Sequence, residues 1–87
     1  MSSVEYVFAG HIDHAEAFAR DQGWRSYERA QWQKRDGTVV FFLCLMAQLE
    51  IVTAGEIVHV VGDAAEPLRA LKRRKAVVVC HAAACAH

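Results

Sequence analysis

Hydrophobic residues along this chain occur in short continuous runs, separated by segments of mixed polarity. A β-rich run over residues 4–9 ends at Gly10 and predicts a strand. The run over residues 38–43 is the most apolar. Its lack of alternation predicts a strand buried on both faces, with Phe41 and Leu43 in a core or an interface. Two further apolar runs, at residues 56–61 and 76–80, also predict strands.

Three segments between these runs have the periodicity or the end signals of helices. Asp13 and Glu16 have the spacing of a capping box at the start of the first one. It is predicted over residues 14–22, with Gly23 as its left-handed stop. The second is predicted over residues 45–54, although the β-branched residues 51–53 oppose a helix. The third is predicted to begin at residues 63–67 and to end in the cationic turn at residues 72–75.

The dipeptide Asp36-Gly37 is a strong hairpin signal. It predicts that residues 24–34 form a strand that pairs antiparallel with residues 38–43. The element order is then β-α-β-β-α-β-α-β in a single α/β domain over residues 1–87. Apolar strands that alternate with helices favour a Rossmann-like domain whose mixed, mainly parallel sheet has about five strands, accompanied by three helices.

Composition adds an expectation about partners. The chain has 87 residues, 54% of them hydrophobic, and its formal net charge is zero. A domain this short has little interior, so part of the apolar surface is expected to be covered by another chain. We therefore expect a homo-oligomer, and the zero net charge provides no overall attraction to nucleic acid or to a membrane.

The cysteines and the first residues bear on location. The chain has an odd number of cysteines, namely Cys44, Cys80 and Cys85. Its first residues lack the basic and apolar regions of a signal peptide. We therefore expect a cytoplasmic protein with reduced thiols, Cys44 being a core thiol. Residues 38–55 are the sole membrane candidate, but Gln48 and Glu50 interrupt them, which favours a buried strand and a helix and no membrane span.

Polar residues follow several of the predicted strands. If those strands are parallel, their carboxyl ends share one edge of the sheet, where ligands bind in such folds. Convergence at this edge would give a site for proton transfer or for an anion. The favoured alternative is that the aspartates cap helices and that the histidines are solvated. The candidate rim consists of His11, His14, Asp63 and His81.

Residues 80–87 contain two cysteines and two histidines. In a helical tail, His81 and Cys85 would share one face and could hold zinc. Two ligands do not close a structural site, so no metal is predicted and folding is expected to be independent of metal. The sequence also lacks the glycine-rich motifs that bind nucleotide phosphates, so no cofactor is predicted.

A cationic segment near the end of the third predicted helix is the best nucleic-acid footprint in the chain. The favoured alternative is a solvated helix end, because cations at that position suit the helix dipole. The segment consists of Arg69, Lys72, Arg73, Arg74 and Lys75.

Residues 6–10, the helix marked by Ala15 and Ala19, and the strand at residues 58–62 together resemble small uncharacterised accessory proteins encoded by actinobacteriophages. Those proteins open with a strand that ends in Phe-Ala-Gly, continue into an Ala/Arg helix, and later have a strand that ends in Val-Gly. The resemblance implies a phage-encoded, Rossmann-like domain in the host cytoplasm that binds a host protein. It implies no functional residues.

Taken together, these features favour a non-catalytic protein that acts by contact with itself and with a host protein. A nucleic-acid-binding module that uses residues 69–75 is one alternative. A small enzyme at the histidine rim is another, although no nucleophile motif supports catalysis.

Overall fold

The structure is a computed structural model that describes residues 3–62 and 65–81. Within these ranges the chain forms six strands and three helices. The strands are β1 (Val4–Phe8), β2 (Arg25–Glu28), β3 (Gln31–Gln33), β4 (Val39–Leu43), β5 (Ile57–Val61) and β6 (Val77–His81). The helices are α1 (Ile12–Asp21), a 3₁₀ helix (Met46–Ile51) and α2 (Ala65–Arg73).

The six strands form one sheet in the order β2-β3-β4-β1-β5-β6. β1 is parallel to β4 and to β5, and β5 is parallel to β6. β3 is antiparallel to both β2 and β4. The predicted α/β class and mixed sheet are confirmed. The Rossmann-like arrangement stays a prediction, because the antiparallel pairs make up two of the five strand pairings.

The sheet separates two hydrophobic cores. On one side, here called the α1 face, α1 packs on the sheet through Ala15, Phe18 and Ala19. On the other side, the α2 face, α2 and the 3₁₀ helix contribute Leu71 and Leu49. Because side chains alternate along a strand, β1 contributes to both cores. The strand residues buried on the α1 face include Val7, Trp32, Val40 and Val61, and those on the α2 face include Tyr6, Phe8, Leu43, Val58 and Val60.

The first hairpin differs from the prediction in one respect. The segment predicted as a single strand over residues 24–34 forms two strands, β2 and β3. Ala30 between them takes a left-handed φ of 61°, which turns the chain back on itself. Over the described residues the sheet therefore has six strands, where about five are predicted. The predicted turn at Asp36-Gly37 is confirmed between β3 and β4, with Gly37 at φ 94° and the Asp36 carboxylate accepting the Thr38 N–H.

The start of α1 is corrected. Its N-cap is His11, whose Nδ1 atom accepts the Asp13 N–H at 3.1 Å. Asp13 therefore lies inside the first turn, and the predicted capping box with Asp13 as its cap is wrong. The predicted stop is confirmed: the helix ends at Asp21, and Gly23 follows with a left-handed φ of 77°.

The second predicted helix is shorter and tighter than expected. It is the 3₁₀ helix rather than an α-helix over residues 45–54. The β-branched residues at 51–53 oppose an α-helix, because their side chains crowd the preceding turn. Gln48 stabilises the start of the short helix, since its side-chain oxygen accepts the N–H groups of Cys44 and Leu45, each at 2.9 Å.

Leu43 and Leu45 provide a matched test of the core. Leu43 is 3% exposed, whereas Leu45, two residues later, is 61% exposed. We expect Leu43→Ala to lower the free energy of unfolding by about 2–5 kcal/mol, because it leaves a cavity. Leu45→Ala should change it by less than about 0.5 kcal/mol. Urea denaturation measures both, and equal losses would contradict this assignment of the core.

Candidate functional site

Three ionisable residues lie on the α1 face of the sheet, on strands that are otherwise largely apolar. Glu5 is on β1, His59 is on β5 and His81 is the last residue of β6. The parallel register pairs Val7 with His59 and Val61 with His81. Because paired residues and residues two apart share a face, these side chains lie on the same side of the sheet.

Hydrogen bonds join these side chains into a continuous chain. Glu5 Oε1 is 2.7 Å from His59 Nε2, and His59 Nδ1 is 3.2 Å from His81 Nε2. The second oxygen of Glu5 accepts from Lys34 Nζ at 2.9 Å. Since a carboxylate can only accept, His59 donates its Nε2–H to Glu5. In the neutral ring, Nδ1 of His59 then presents a lone pair towards His81.

This Glu5–His59–His81 chain is largely shielded from solvent. The side chains of Glu5 and His59 are 8% and 12% exposed. The Phe18 ring lies 4.3 Å from the ring of His81, and the Trp24 ring meets His59 edge-on at 5.2 Å, centroid to centroid. The aromatic surroundings lower the local dielectric, which strengthens each polar interaction.

The surroundings also shift the pKa values of Glu5 and His81. Burial raises the pKa of Glu5, but the hydrogen bonds and charges of His59 and Lys34 outweigh it and hold the pKa below its ordinary value. Burial, followed by the neighbouring His59, lowers the pKa of His81. The chain therefore favours an ionised carboxylate at one end and a neutral imidazole at the other.

A carboxylate that accepts from one nitrogen of a histidine fixes the tautomer and the orientation of the ring. Here Glu5 does this for His59, and His59 in turn contacts His81. Proteins use this arrangement to transfer protons and to bind metal cations. The geometry provides either capacity at the His81 end, since Lys34 neutralises the Glu5 end.

The structure describes three of the four residues of the predicted rim. His11 and His14 are exposed at the start of α1, with ring centroids 6.3 Å apart. His81 packs against Phe18 and His59. Asp63 lies outside the described residues, so the convergence of the four residues stays a prediction.

The cationic segment has a structural role at its C-terminal end. The Arg74 guanidinium donates to the carbonyl oxygens of Val52 and Glu50, at 2.8 Å and 2.6 Å. Lys75 has a left-handed φ of 60°, and its carbonyl accepts the Gly55 N–H. These two residues hold the end of α2 against the loop before β5. The remaining cations of the segment, Arg69, Lys72 and Arg73, are exposed on α2.

The predicted metal alternative involves Cys85, which lies outside the described residues. Cys44 and Cys80 are free thiols. Within residues 3–62 and 65–81, no group of three or more His, Cys, Asp or Glu side chains is placed to hold a metal ion.

Sequence reasoning missed Glu5, His59 and Lys34. A signal was present, because Glu5 and His59 each interrupt an apolar run that predicts a buried strand. A charged or polar residue at such a position needs a buried partner. The identity of the partners depends on strand order, which the sequence leaves open.

Comparison of the chain with protein-family models, with curated proteins and with solved structures finds no match. The resemblance to phage accessory proteins therefore stays a prediction. In the part of the chain that the structure describes, no helix is both long and apolar enough to cross a membrane.

The Glu5 carboxylate predicts a specific dependence of stability on pH. Its pKa is lower in the folded protein than its ordinary value of 4.5, so the unfolded chain binds a proton more readily. The resulting stabilisation is present above about pH 4.5 and is lost as the pH falls through the folded pKa. We expect Glu5→Gln to lower the free energy of unfolding by about 1–3 kcal/mol near neutral pH. The difference from the wild type should shrink below pH 4.5.

Chemical denaturation over a pH series in metal-free buffer measures this effect. Glu28→Gln is the control, because Glu28 is an exposed carboxyl on β2. Its effect should stay within about 0.5 kcal/mol at every pH. A Glu5→Gln difference that is constant across the series would contradict the assigned role of Glu5.

Proposed function

We propose that this chain is a small non-catalytic interaction domain that pairs with a second copy of itself through β6. The observation that carries the proposal is the character of this edge strand. β6 is the last strand of the sheet order, and Val77–His81 contains no Lys, Arg, Asp, Glu or Pro. An edge strand presents unpaired backbone groups, and such an uncharged strand is a template for pairing with another chain.

The opposite edge of the sheet has the features that prevent such pairing. β2 contains Arg25 and Glu28, and all four of its residues are exposed. Its pairing with β3 is irregular between Ser26 and Glu28, which disturbs a regular edge. Among the strands that the structure describes, one edge is therefore protected and the other is open, which favours pairing through β6.

The side chains next to the β6 edge also favour pairing at this strand. Val77 is 49% exposed, and its register partner Ile57 is half-buried. Both side chains lie on the α1 face of the sheet. Among the described residues, α1 packs on that face through contacts centred on β1, β4 and the end of β5. The β6 side of the face therefore presents apolar surface, and the zero net charge of the chain adds no overall repulsion between copies.

A two-fold axis at β6 would place two copies of the strand antiparallel and join the two sheets into one. The same patch is used on both copies, as a closed dimer requires. A stable interface of this kind buries on the order of 1,200–2,000 Å² in total. The exposed side chains of β6 would supply the apolar part of that area.

The wider setting is also part of the proposal. The resemblance of residues 6–10 and 58–62 to phage accessory proteins supports a phage-encoded, Rossmann-like domain with a host protein as a further partner. The free thiols of Cys44 and Cys80 are compatible with a reducing cytoplasm. Nucleic-acid binding by α2 is less favoured, because Arg74 is engaged with the backbone of the preceding loop.

Sedimentation equilibrium at tens of micromolar tests the pairing. We expect the wild type to have twice the mass of one chain. Val77→Lys should give a monomer, because a lysine on an edge strand opposes pairing with another strand. Circular dichroism checks that the variant keeps its fold.

Tyr27→Lys is the matched control, since Tyr27 is 55% exposed on the opposite edge strand β2. It should leave the mass of the dimer unchanged. A wild-type monomer at these concentrations, or equal dissociation in the two variants, would refute pairing through β6.

A further inference from the structure

We propose that His59 and His81 form a binding site for a zinc ion, with Glu5 as the group that orients His59. This inference does not depend on the pairing of copies, because it rests on side chains rather than on the backbone edge. Imidazole nitrogen is a preferred ligand of Zn²⁺. The site presents two such nitrogens, His59 Nδ1 and His81 Nε2.

The distance between the two nitrogens fits a shared ion. Zinc–nitrogen bonds are about 2.0–2.1 Å, so two nitrogens on one tetrahedral zinc lie about 3.3–3.4 Å apart. His59 Nδ1 and His81 Nε2 are 3.2 Å apart, which requires little movement. In this hydrogen bond His81 Nε2–H donates to His59 Nδ1. When the proton of His81 moves to its Nδ1 atom, the other neutral tautomer, both facing nitrogens have a lone pair for the metal.

The surroundings of His59 match those of a metal ligand. A histidine that binds a metal usually donates its other ring N–H to a carboxylate, which fixes the ring and raises its basicity. His59 has this partner: its Nε2 lies 2.7 Å from Glu5 Oε1. Lys34 on the second oxygen keeps the carboxylate ionised and in place.

Stability alone does not account for this set of buried polar groups. Buried ionic groups are often replaceable by apolar residues at no loss of stability. His59 and His81 occupy positions on strands that otherwise contain valine, isoleucine and cysteine. Local departures from the pattern of a fold occur mainly at functional sites.

The site differs from a structural zinc site. Two protein ligands leave two positions of a tetrahedral ion to exchangeable groups such as water, whereas a catalytic zinc has three protein ligands and one such position. Binding is then weaker than in a closed site, and a chelator should leave the protein folded. This agrees with the expectation that folding is independent of metal.

Two measurements on the full chain test the site. Zinc chloride is titrated into the wild-type protein by NMR, and the ring resonances of all histidines are followed. We expect the signals of His59 and His81 to shift together and to saturate at one ion per chain, while those of His14 stay in place. Isothermal titration calorimetry gives the zinc affinity.

Variants separate this site from the thiols and from exposed histidines. His81→Gln should abolish the calorimetric binding, and Glu5→Gln, which keeps both ligands, should weaken it by about 10–100-fold. His14→Gln is the control and should bind zinc as the wild type does. Circular dichroism verifies that each variant folds. If a variant does not fold, the NMR titration of the wild-type protein still tests the site.

Zinc binding that His81→Gln leaves unchanged would place the ion elsewhere in the chain and overturn the proposal. Ring signals of His59 and His81 that do not respond to zinc would overturn it as well. An equal loss in His14→Gln would assign the binding to exposed histidines. None of these outcomes bears on the mass of the dimer, so the two proposals fail separately.

Discussion

β1 is hydrogen-bonded along both edges, to β4 and to β5, and both of its faces are covered. From Glu5 to Phe8 each of its side chains is therefore buried on one face of the sheet or the other. Glu5 is the exception to the apolar pattern of the strand, and it is only 6% exposed. A buried carboxylate without partners is costly. The turn after β3 and the neighbouring strand β5 supply those partners, Lys34 and His59, and this links the hairpin, the central strand and the far side of the sheet.

The hydrogen bonds that begin at Glu5 continue past His59 to the edge of the sheet. His59 Nδ1 accepts from His81 at the end of β6, so hydrogen bonds connect the carboxylate on the central strand to a ring on the edge strand. Phe18 and Trp24 pack against the same rings. His81 belongs both to this polar chain and to the edge strand β6.

The α2 face is organised differently. Its core is closed by Leu49, Val52 and Leu71, which are almost fully buried. Arg74 joins the end of α2 to the end of the 3₁₀ helix through the backbone carbonyls of Glu50 and Val52. A basic residue that the sequence places in a nucleic-acid footprint thus donates to two backbone carbonyls in the fold. Of the cations that stay exposed, Lys72 and Arg73 lie in the last turn of α2, where they suit the C-terminal dipole of the helix.

The sequence by itself determined the parts of this fold that depend on a few adjacent residues. The turn at Asp36-Gly37, the stop at Gly23 and the apolar strand at residues 39–43 follow from backbone preferences and local pattern. The tertiary structure decided the tight helix at Met46–Ile51, the division of residues 24–34 into two strands, and the polar chain. Glu5 and His59 are 54 positions apart. They meet only because β1 and β5 are neighbours in one register, and a shift by one residue would turn either side chain to the opposite face.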